Sequence, residues 1–175
     1  KNNEFNIDNY IKMTRLKTAV LIGCCLKMGA IIGGATQEDS DLIYNFGIEM
    51  GIAFQLQDDY LDSFGNPKDF GKKIGGDILR NKKTILYHLI LKKGNLEHQK
   101  KIKKILSSAQ ENLKTEEKIN QAKNIYIESG AKGATREMIN FYSNSAEEKI
   151  KLLALSNEKK KIFINLVRSL MKREK

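Results

Sequence analysis

The chain has 175 residues, of which 41% are hydrophobic and 30% are charged. This length suits one globular domain, and the composition argues against both intrinsic disorder and a membrane protein built from long apolar runs. The 31 basic and 21 acidic side chains leave a formal charge of +10. That charge admits nucleic acid, anionic lipid or phosphorylated small molecules as partners. Because lysines are spread along the chain, solvated helix faces explain it better than one binding patch.

The apolar stretch 18–36 has about the length of a membrane span, but Lys27 lies at its middle and glycines dilute it. We therefore expect a buried helix and its turn, without stable membrane insertion. Cys24 and Cys25 are the only cysteines, and adjacent cysteines cannot close a stabilising loop. This usage is typical of a reducing compartment and predicts a cytoplasmic protein.

The spacing of apolar residues predicts an all-α fold, beginning with two long helices. The first helix is expected to start at Asp8, which can cap it, and to end near Gly33. The second is expected after the polar segment 37–40 and should run to about Phe64. The turn residues Gly65-Asn66-Pro67 mark its end.

The remaining helices follow a glycine-rich loop at residues 65–76. Asn81 is predicted to cap the next helix, which places Ile85 and Leu86 inward and stops at Gly94. Further helices are expected at about 96–108, 116–129, 132–154 and 158–172. No internal repeat or linker interrupts this pattern, so we expect residues 1–175 to form a single domain.

Three carboxylates crowd one turn of the second helix. With 3.6 residues per turn, Asp58 and Asp62 fall about 40° apart, and Asp59 lies about 100° from Asp58. Their neighbours are almost all apolar or small, and buried charges need partners or metals. A solvated acidic patch is the alternative. Oxygen ligands without nearby His or Cys favour magnesium, manganese or calcium, and protein-bound magnesium usually shares its coordination with substrate phosphates.

The face that bears the aspartates continues towards the start of the same helix. Gln55 projects within the same arc, and Gly47 and Gly51 extend it as a strip without side chains. We expect a smooth groove that leads up to the acidic end.

Basic residues on both sides of this helix suit an anionic substrate. Lys72 lies in the glycine-rich loop and Lys82 follows it, although lysines in such loops are often merely solvated. Lys17 shares a face of the first helix with Leu21 and Met28, which would suit a charged head group with a hydrocarbon tail. The alternative is that Lys17 extends to solvent over a stripe that belongs to the core.

At this point the chain resembles a known family, the trans-isoprenyl diphosphate synthases. Residues 54–62 (FQLQDDYLD), Phe64-Gly65, Gly71-Lys72, Gly75-Gly76-Asp77-Ile78 and Asn81-Lys82-Lys83-Thr84 resemble the second aspartate-rich region of farnesyl and geranylgeranyl diphosphate synthases in order and spacing. Lys17-Thr18 is similar to the family's lysine–threonine pair, and residues 166–173 to its last helix and basic tail. The resemblance implies a helical bundle of the isoprenoid synthase type, incomplete at the amino terminus.

The activity that the resemblance implies is prenyl transfer. In the family, magnesium ions, with manganese as a possible substitute, lie between two aspartate-rich motifs and bind an allylic diphosphate. Ionisation gives an allylic cation, which isopentenyl diphosphate attacks. The resemblance also implies a homo-oligomer, with a dimer favoured, and neither a nucleic-acid partner nor a membrane span.

The family's site residues carry over onto matching positions. Asp58 becomes the principal magnesium ligand, with Asp59 and Asp62 beside it and Asp77 near the metal cluster. Thr18 and Gln55 would line the reacting carbons, and with Lys17 and Asp58 they are the candidate catalytic residues. The candidate substrate-binding residues are Lys17, Thr18, Gln55, Lys72, Lys82 and Arg173.

Departures from the family leave two hypotheses open. The first aspartate-rich motif and the basic segment that grips isopentenyl diphosphate are not found, and both would precede Lys1. The chain is therefore either an inactive fragment of a prenyltransferase or a short, non-catalytic partner subunit of a synthase. Intact Asp58, Asp59 and Asp62 favour the first. A basic helical nucleic-acid binder ranks third, because aromatic and basic residues do not interleave.

Overall fold

The computed structural model describes residues 6–66, 74–107 and 115–172, and every regular element within these ranges is helical. The all-α prediction is confirmed. In chain order the elements are α1 (Ile7–Thr14), a π-helical segment (Arg15–Ala19), α2 (Val20–Ile32), α3 (Gln37–Phe64), α4 (Gly76–Leu79), α5 (Ile85–Lys93), α6 (Leu96–Ile105), α7 (Thr115–Glu128), α8 (Ala131–Leu152) and α9 (Asn157–Met171).

The first predicted helix is continuous from residue 7 to 32 but contains a π-helical segment at residues 15–19. Its cap is Asn6, whose side-chain Oδ1 accepts the Asn9 N–H at 2.9 Å. The prediction of Asp8 as the cap is wrong by two positions, because Asp8 already lies in the first turn. The end near Gly33 is confirmed, and Gly34 follows with a left-handed φ of 78°.

The second predicted helix is α3, a 28-residue element that ends at Phe64 as expected. The Gly65 N–H still donates to the Leu61 carbonyl at 2.8 Å, so the helical hydrogen bonding stops at the predicted glycine. Because α3 is unbroken up to Phe64, it holds Asp58, Asp59 and Asp62 at fixed relative angles.

The third predicted helix, α5, ends before Gly94 as expected, but its cap was assigned wrongly. Thr84, with extended backbone angles, precedes its first residue. Asn81 lies three residues upstream in a left-handed conformation with φ of 55°. Its side chain accepts a hydrogen bond from Lys118, 37 residues further along the chain, instead of capping the helix. The short helix α4 was not predicted.

The described residues divide into two compact units. The first contains 6–10, 56–66, 74–107 and 115–137, and its core includes Leu56, Leu61, Ile85, Ile90, Ile102 and Tyr126. The second contains 11–55 and 138–172, and its core consists of Ile43, Phe46, Met50, Ala146, Ile150, Leu153 and Val167. The assignment of the whole chain to one domain stays a prediction.

Small residues bring α2 and α3 into close contact within the second unit. A Cβ atom on Gly47 would lie 2.7 Å from the Gly23 Cα, and one on Gly51 would lie 2.7 Å from the Ala19 Cα. The predicted groove along Gly47 and Gly51 is therefore wrong, because α2 itself fills that strip. What looked like a ligand channel is a helix-packing contact.

The opposite face of α2 is exposed. Leu21 is 70% and Ile32 is 83% accessible, and Met28 is also exposed. The expectation of a buried helix over residues 18–36 is wrong for this face, and so is the alternative that the stripe belongs to the core. None of the described helices is long and apolar enough to cross a membrane.

Gly47→Ala should lower the free energy of unfolding by about 1 to 3 kcal/mol, because the added methyl group overpacks the α2–α3 contact. The matched control is Gly133→Ala in α8, where an added Cβ meets no atom within 4 Å. That change should stabilise the protein by about 0.5 to 1 kcal/mol through helix propensity. Urea unfolding of both variants measures the difference, and equal effects would contradict the packing account.

Candidate active site

Asp59 is turned into the interior of the first unit and is 4% exposed. The Tyr10 hydroxyl, from α1, donates a hydrogen bond to its Oδ2 atom. The N–H of Ile85, the first residue of α5, donates to the same oxygen at 3.3 Å. A buried carboxylate is costly without such donors. Asp59 therefore connects α3 to α1 and to the amino-terminal end of α5.

Asp62 is also buried and anchors the chain that returns after the glycine-rich loop. Its Oδ2 atom accepts the Asp77 N–H at 2.9 Å, and its carbonyl accepts the Gly75 N–H at 2.6 Å. Gly75 has a φ of 85°, and a Cβ there would lie 2.6 Å from Ile119, so glycine is required. Burial raises the pKa of the Asp62 carboxyl, and the hydrogen bond from Asp77 only partly opposes that rise.

Asp77 forms ion pairs with two cationic side chains that follow the end of α4. Its Oδ1 atom lies 2.8 Å from the Arg80 Nη2 atom and 2.8 Å from the Lys82 Nζ atom. Asp77 is buried, whereas both cationic side chains are more than half exposed. The structure thus brings together two of the predicted residues, Asp77 and Lys82, and adds Arg80, which the sequence did not single out.

Tyr126, from α7, is 1% exposed and lies close to three of the predicted aspartates. Burial raises the pKa of its hydroxyl, and the negative charges of Asp59, Asp62 and Asp77 raise it further. A side-chain hydrogen bond with Thr84 acts in the opposite direction. Sequence reasoning missed the position of Tyr126 beside the aspartates, because Tyr126 lies in an ordinary apolar helix pattern.

Asp58 differs from the other three carboxylates. It is half-buried, and it forms no hydrogen bond or ion pair with another residue in the described part of the chain. Its oxygens therefore remain available to a ligand, while its neighbours Asp59 and Asp62 are tied into the fold.

The donor set fits a hard divalent cation only in part. All four predicted ligands offer oxygen, which suits magnesium or manganese. Among the described residues, however, no three His, Cys, Asp or Glu side chains lie close enough together to hold a metal. A cation at Asp58 would need further oxygen ligands from outside this group. The metal roles of Asp58, Asp59, Asp62 and Asp77 stay predictions.

The remaining described candidates lie in the second unit. Lys17 and Thr18 are on the π-helical segment, and such segments are frequent at functional sites. The Thr18 hydroxyl lies 3.4 Å from the Gln55 Oε1 atom, to which it donates, so the structure brings this predicted pair together. Lys17 is exposed. Lys72 and Arg173 fall outside the described residues, as does most of the predicted loop.

Lys118 is a third residue, after Arg80 and Tyr126, that sequence reasoning missed. It is 6% exposed, and its Nζ atom donates to the Asn81 Oδ1 atom at 2.7 Å. This bond holds Asn81 in its left-handed conformation, and the next residue, Lys82, donates its N–H to the Asp77 carbonyl at 2.9 Å. A signal existed in the sequence: Lys118 precedes the buried residues Ala122 and Tyr126 at intervals of four on α7.

The fold matches solved prenyl synthases. A crystal structure of a geranylgeranyl pyrophosphate synthase has a TM-score of 0.89 and 39% identity, covering 100% of this chain and 54% of that one. The Corynebacterium glutamicum geranylgeranyl pyrophosphate synthase, complexed with calcium and isoprenyl diphosphate, has a TM-score of 0.80 and 27% identity, covering 96% and 51%. The class of fold is thus the all-α fold of these prenyl synthases.

The sequence comparison gives the family. The Polyprenyl synthetase profile matches residues 1–126, and the chain belongs to that family. It is 29% identical over 164 residues to the geranylfarnesyl diphosphate synthase of Aeropyrum pernix, covering 94% of this chain and 49% of that protein. It is 32% identical over 151 residues to the geranylgeranyl diphosphate synthase of Saccharolobus solfataricus, covering 86% and 44%. The chain thus spans about half the length of these relatives.

Tyr10→Phe should lower the free energy of unfolding by about 1 to 3 kcal/mol, because it removes a donor from the buried Asp59 carboxylate. Tyr44→Phe is the matched control, since the Tyr44 hydroxyl makes no hydrogen bond to any residue the structure describes. Its effect should stay within about 0.5 kcal/mol. Chemical unfolding at neutral pH compares the two, and equal losses would show that the bond to Asp59 is not what anchors α1.

Proposed function

We propose that this chain is the carboxy-terminal part of a prenyl diphosphate synthase that condenses an allylic diphosphate with isopentenyl diphosphate. The observation that carries the proposal is that the aspartates differ in their hydrogen-bond partners. Asp59 and Asp62 are held by internal donors, and Asp58 beside them keeps its oxygens available. The family assignment supports it, as does the neighbour complexed with calcium and isoprenyl diphosphate.

The proposed cofactor is Mg²⁺, with Mn²⁺ as a substitute, held chiefly by Asp58 together with diphosphate oxygens. When bound, the cation would neutralise the charge that develops on the departing diphosphate. Asp59 and Asp62 fix the direction of Asp58 by anchoring the end of α3. Asp77 holds Lys82 at 2.8 Å, so that its ammonium group stays near the proposed site.

The proposed substrate contacts are carried over from the resemblance, which assigns Lys17 and Lys82 as cations for the allylic diphosphate. The Thr18–Gln55 pair would place two side-chain dipoles near the reacting carbons, where they can stabilise an allylic cation. Lys72 and Arg173 are assigned to substrate by the resemblance alone.

The proposed active protein has further helices, because this chain spans about half of its relatives. The exposed apolar face of α2, which includes Leu21, Met28 and Ile32, is a surface that such helices would cover. We propose that the active assembly is a homo-oligomer, with a dimer favoured.

The alternative is a non-catalytic partner subunit. A Bacillus subtilis protein named component 2 of heptaprenyl diphosphate synthase is 35% identical over 101 residues, so a synthase described by components occurs among the relatives. Asp58 favours a catalytic role instead, because no described residue holds its oxygens, whereas the neighbouring Asp59 and Asp62 already serve the fold.

Asp58→Ala should lower turnover of the complete protein about 100-fold or more, because charge stabilisation at the leaving group is lost. The control is Asp41→Ala on the same helix, which removes an exposed carboxylate paired with Lys27 and should leave turnover unchanged. Diphosphate release is measured with an allylic diphosphate and isopentenyl diphosphate over a range of magnesium concentrations. Full activity of the Asp58→Ala variant would contradict the proposal.

The 175-residue chain on its own should not turn over these substrates. One aspartate-rich segment supplies ligands from one side of the site only. Contacts from one side are not enough to position two substrates for reaction. The exposed face of α2 should also drive self-association, which light scattering detects. Multiple turnovers by a monomer shown by mass spectrometry to begin at Lys1 would prove this expectation wrong.

A further inference from the structure

A cavity of about 570 Å³ lies in the first unit, and its described lining contains none of the predicted site residues. It is bordered by the residues at the start of α1, by α5 and by α6, and three of its lining side chains are Lys83, Lys92 and Lys103. Of the described residues that line it, Asp8 is the single acidic one. The cavity therefore carries an excess of positive charge.

The three lysines differ from those that have an acidic partner. Lys101 pairs with Glu97 and Lys151 with Glu148, both at 2.6 Å, whereas most described lysines form no ion pair. Within the same described ranges, Lys83, Lys92 and Lys103 form no ion pair. What distinguishes these three lysines is their position, because they line one concave surface and bring their positive charges together there.

The walls of the cavity combine this charge with a fixed apolar surface. Tyr87 is buried, and its ring centroid lies 5.8 Å from the Lys83 Nζ atom. The Gln99 side chain donates to the carbonyls of Leu91 and Gly94 at 3.2 and 2.9 Å, which ties α6 to the end of α5. The side chains of Tyr87 and Leu91 thus lie on elements that are held together, beside exposed cationic groups.

We infer that this cavity binds a diphosphate group, either as the free anion or carried by a small organic molecule. Three ammonium groups against one carboxylate suit a ligand with several negative charges, and lysines bind phosphate as point charges without needing a metal. An organic substituent would lie against Tyr87 and Leu91. This site is distinct from the Asp58 site, because it uses none of the aspartates of that motif and requires no divalent cation.

The test is calorimetric titration of the protein in EDTA, where magnesium-dependent binding at Asp58 is absent. Inorganic diphosphate and dimethylallyl diphosphate are the two probes. The double variant Lys92→Gln with Lys103→Gln should weaken both at least about tenfold, since it removes two charge-assisted contacts. Tighter binding of the organic probe by the unchanged protein identifies a carried diphosphate, and equal binding identifies the free anion.

The matched control is Lys100→Gln with Lys104→Gln, which removes the same charge from exposed positions of α6 that do not line the cavity. It should leave both affinities within about twofold. Equal weakening by the two double variants, or no binding in EDTA, would overturn the inference. Loss of EDTA-resistant binding in Asp58→Ala would also overturn it by placing the anion at the aspartates. The proposed synthase activity is read separately, from magnesium-dependent turnover.

Discussion

The buried carboxylate of Asp59 is the contact on which the arrangement of the first unit depends. An isolated charge in the interior costs several kcal/mol, and here Tyr10 and the Ile85 N–H compensate it. These donors come from α1 and from the start of α5, so a single side chain fixes three helices. Because adjacent helical residues point about 100° apart, holding Asp59 inward directs Asp58 away from the same partners.

Further polar contacts lie beside Asp59 in the first unit. Asp62 binds the backbone at Asp77, and Asp77 in turn pairs with Arg80 and Lys82. Lys118 secures the adjoining turn through Asn81. Arg80 and Lys82 thereby balance part of the negative charge near Tyr126. An aspartate run that resembles a set of equivalent metal ligands consists of one available carboxylate and several structural ones.

The two faces of α2 have different surroundings, since one packs closely against α3 and the other is exposed. Its small residues allow α3 to approach closely, which leaves no room for a groove beside Gly47 and Gly51. Its other face exposes Leu21, Met28 and Ile32. This exposed apolar area is the reason for proposing that further helices cover this face of α2.

The sequence by itself determined the helical class, the ends of α3 and α5 at Gly65 and Gly94, and the aspartate motif that leads to the family. These features depend on local periodicity and on the conformational preferences of glycine, which act over a few residues. Boundaries and motifs were therefore within reach of sequence reasoning.

Only the tertiary structure decided which partner each polar side chain has. Tyr10 reaches Asp59 across 49 positions, and Lys118 reaches Asn81 across 37. Asn81 could have capped α5 on local grounds, but the contact with Lys118 and a left-handed backbone assign it elsewhere. The reason is that spacing fixes the face on which a residue lies. Which donors, acceptors and neighbouring helices meet that face depends on the packing of distant segments.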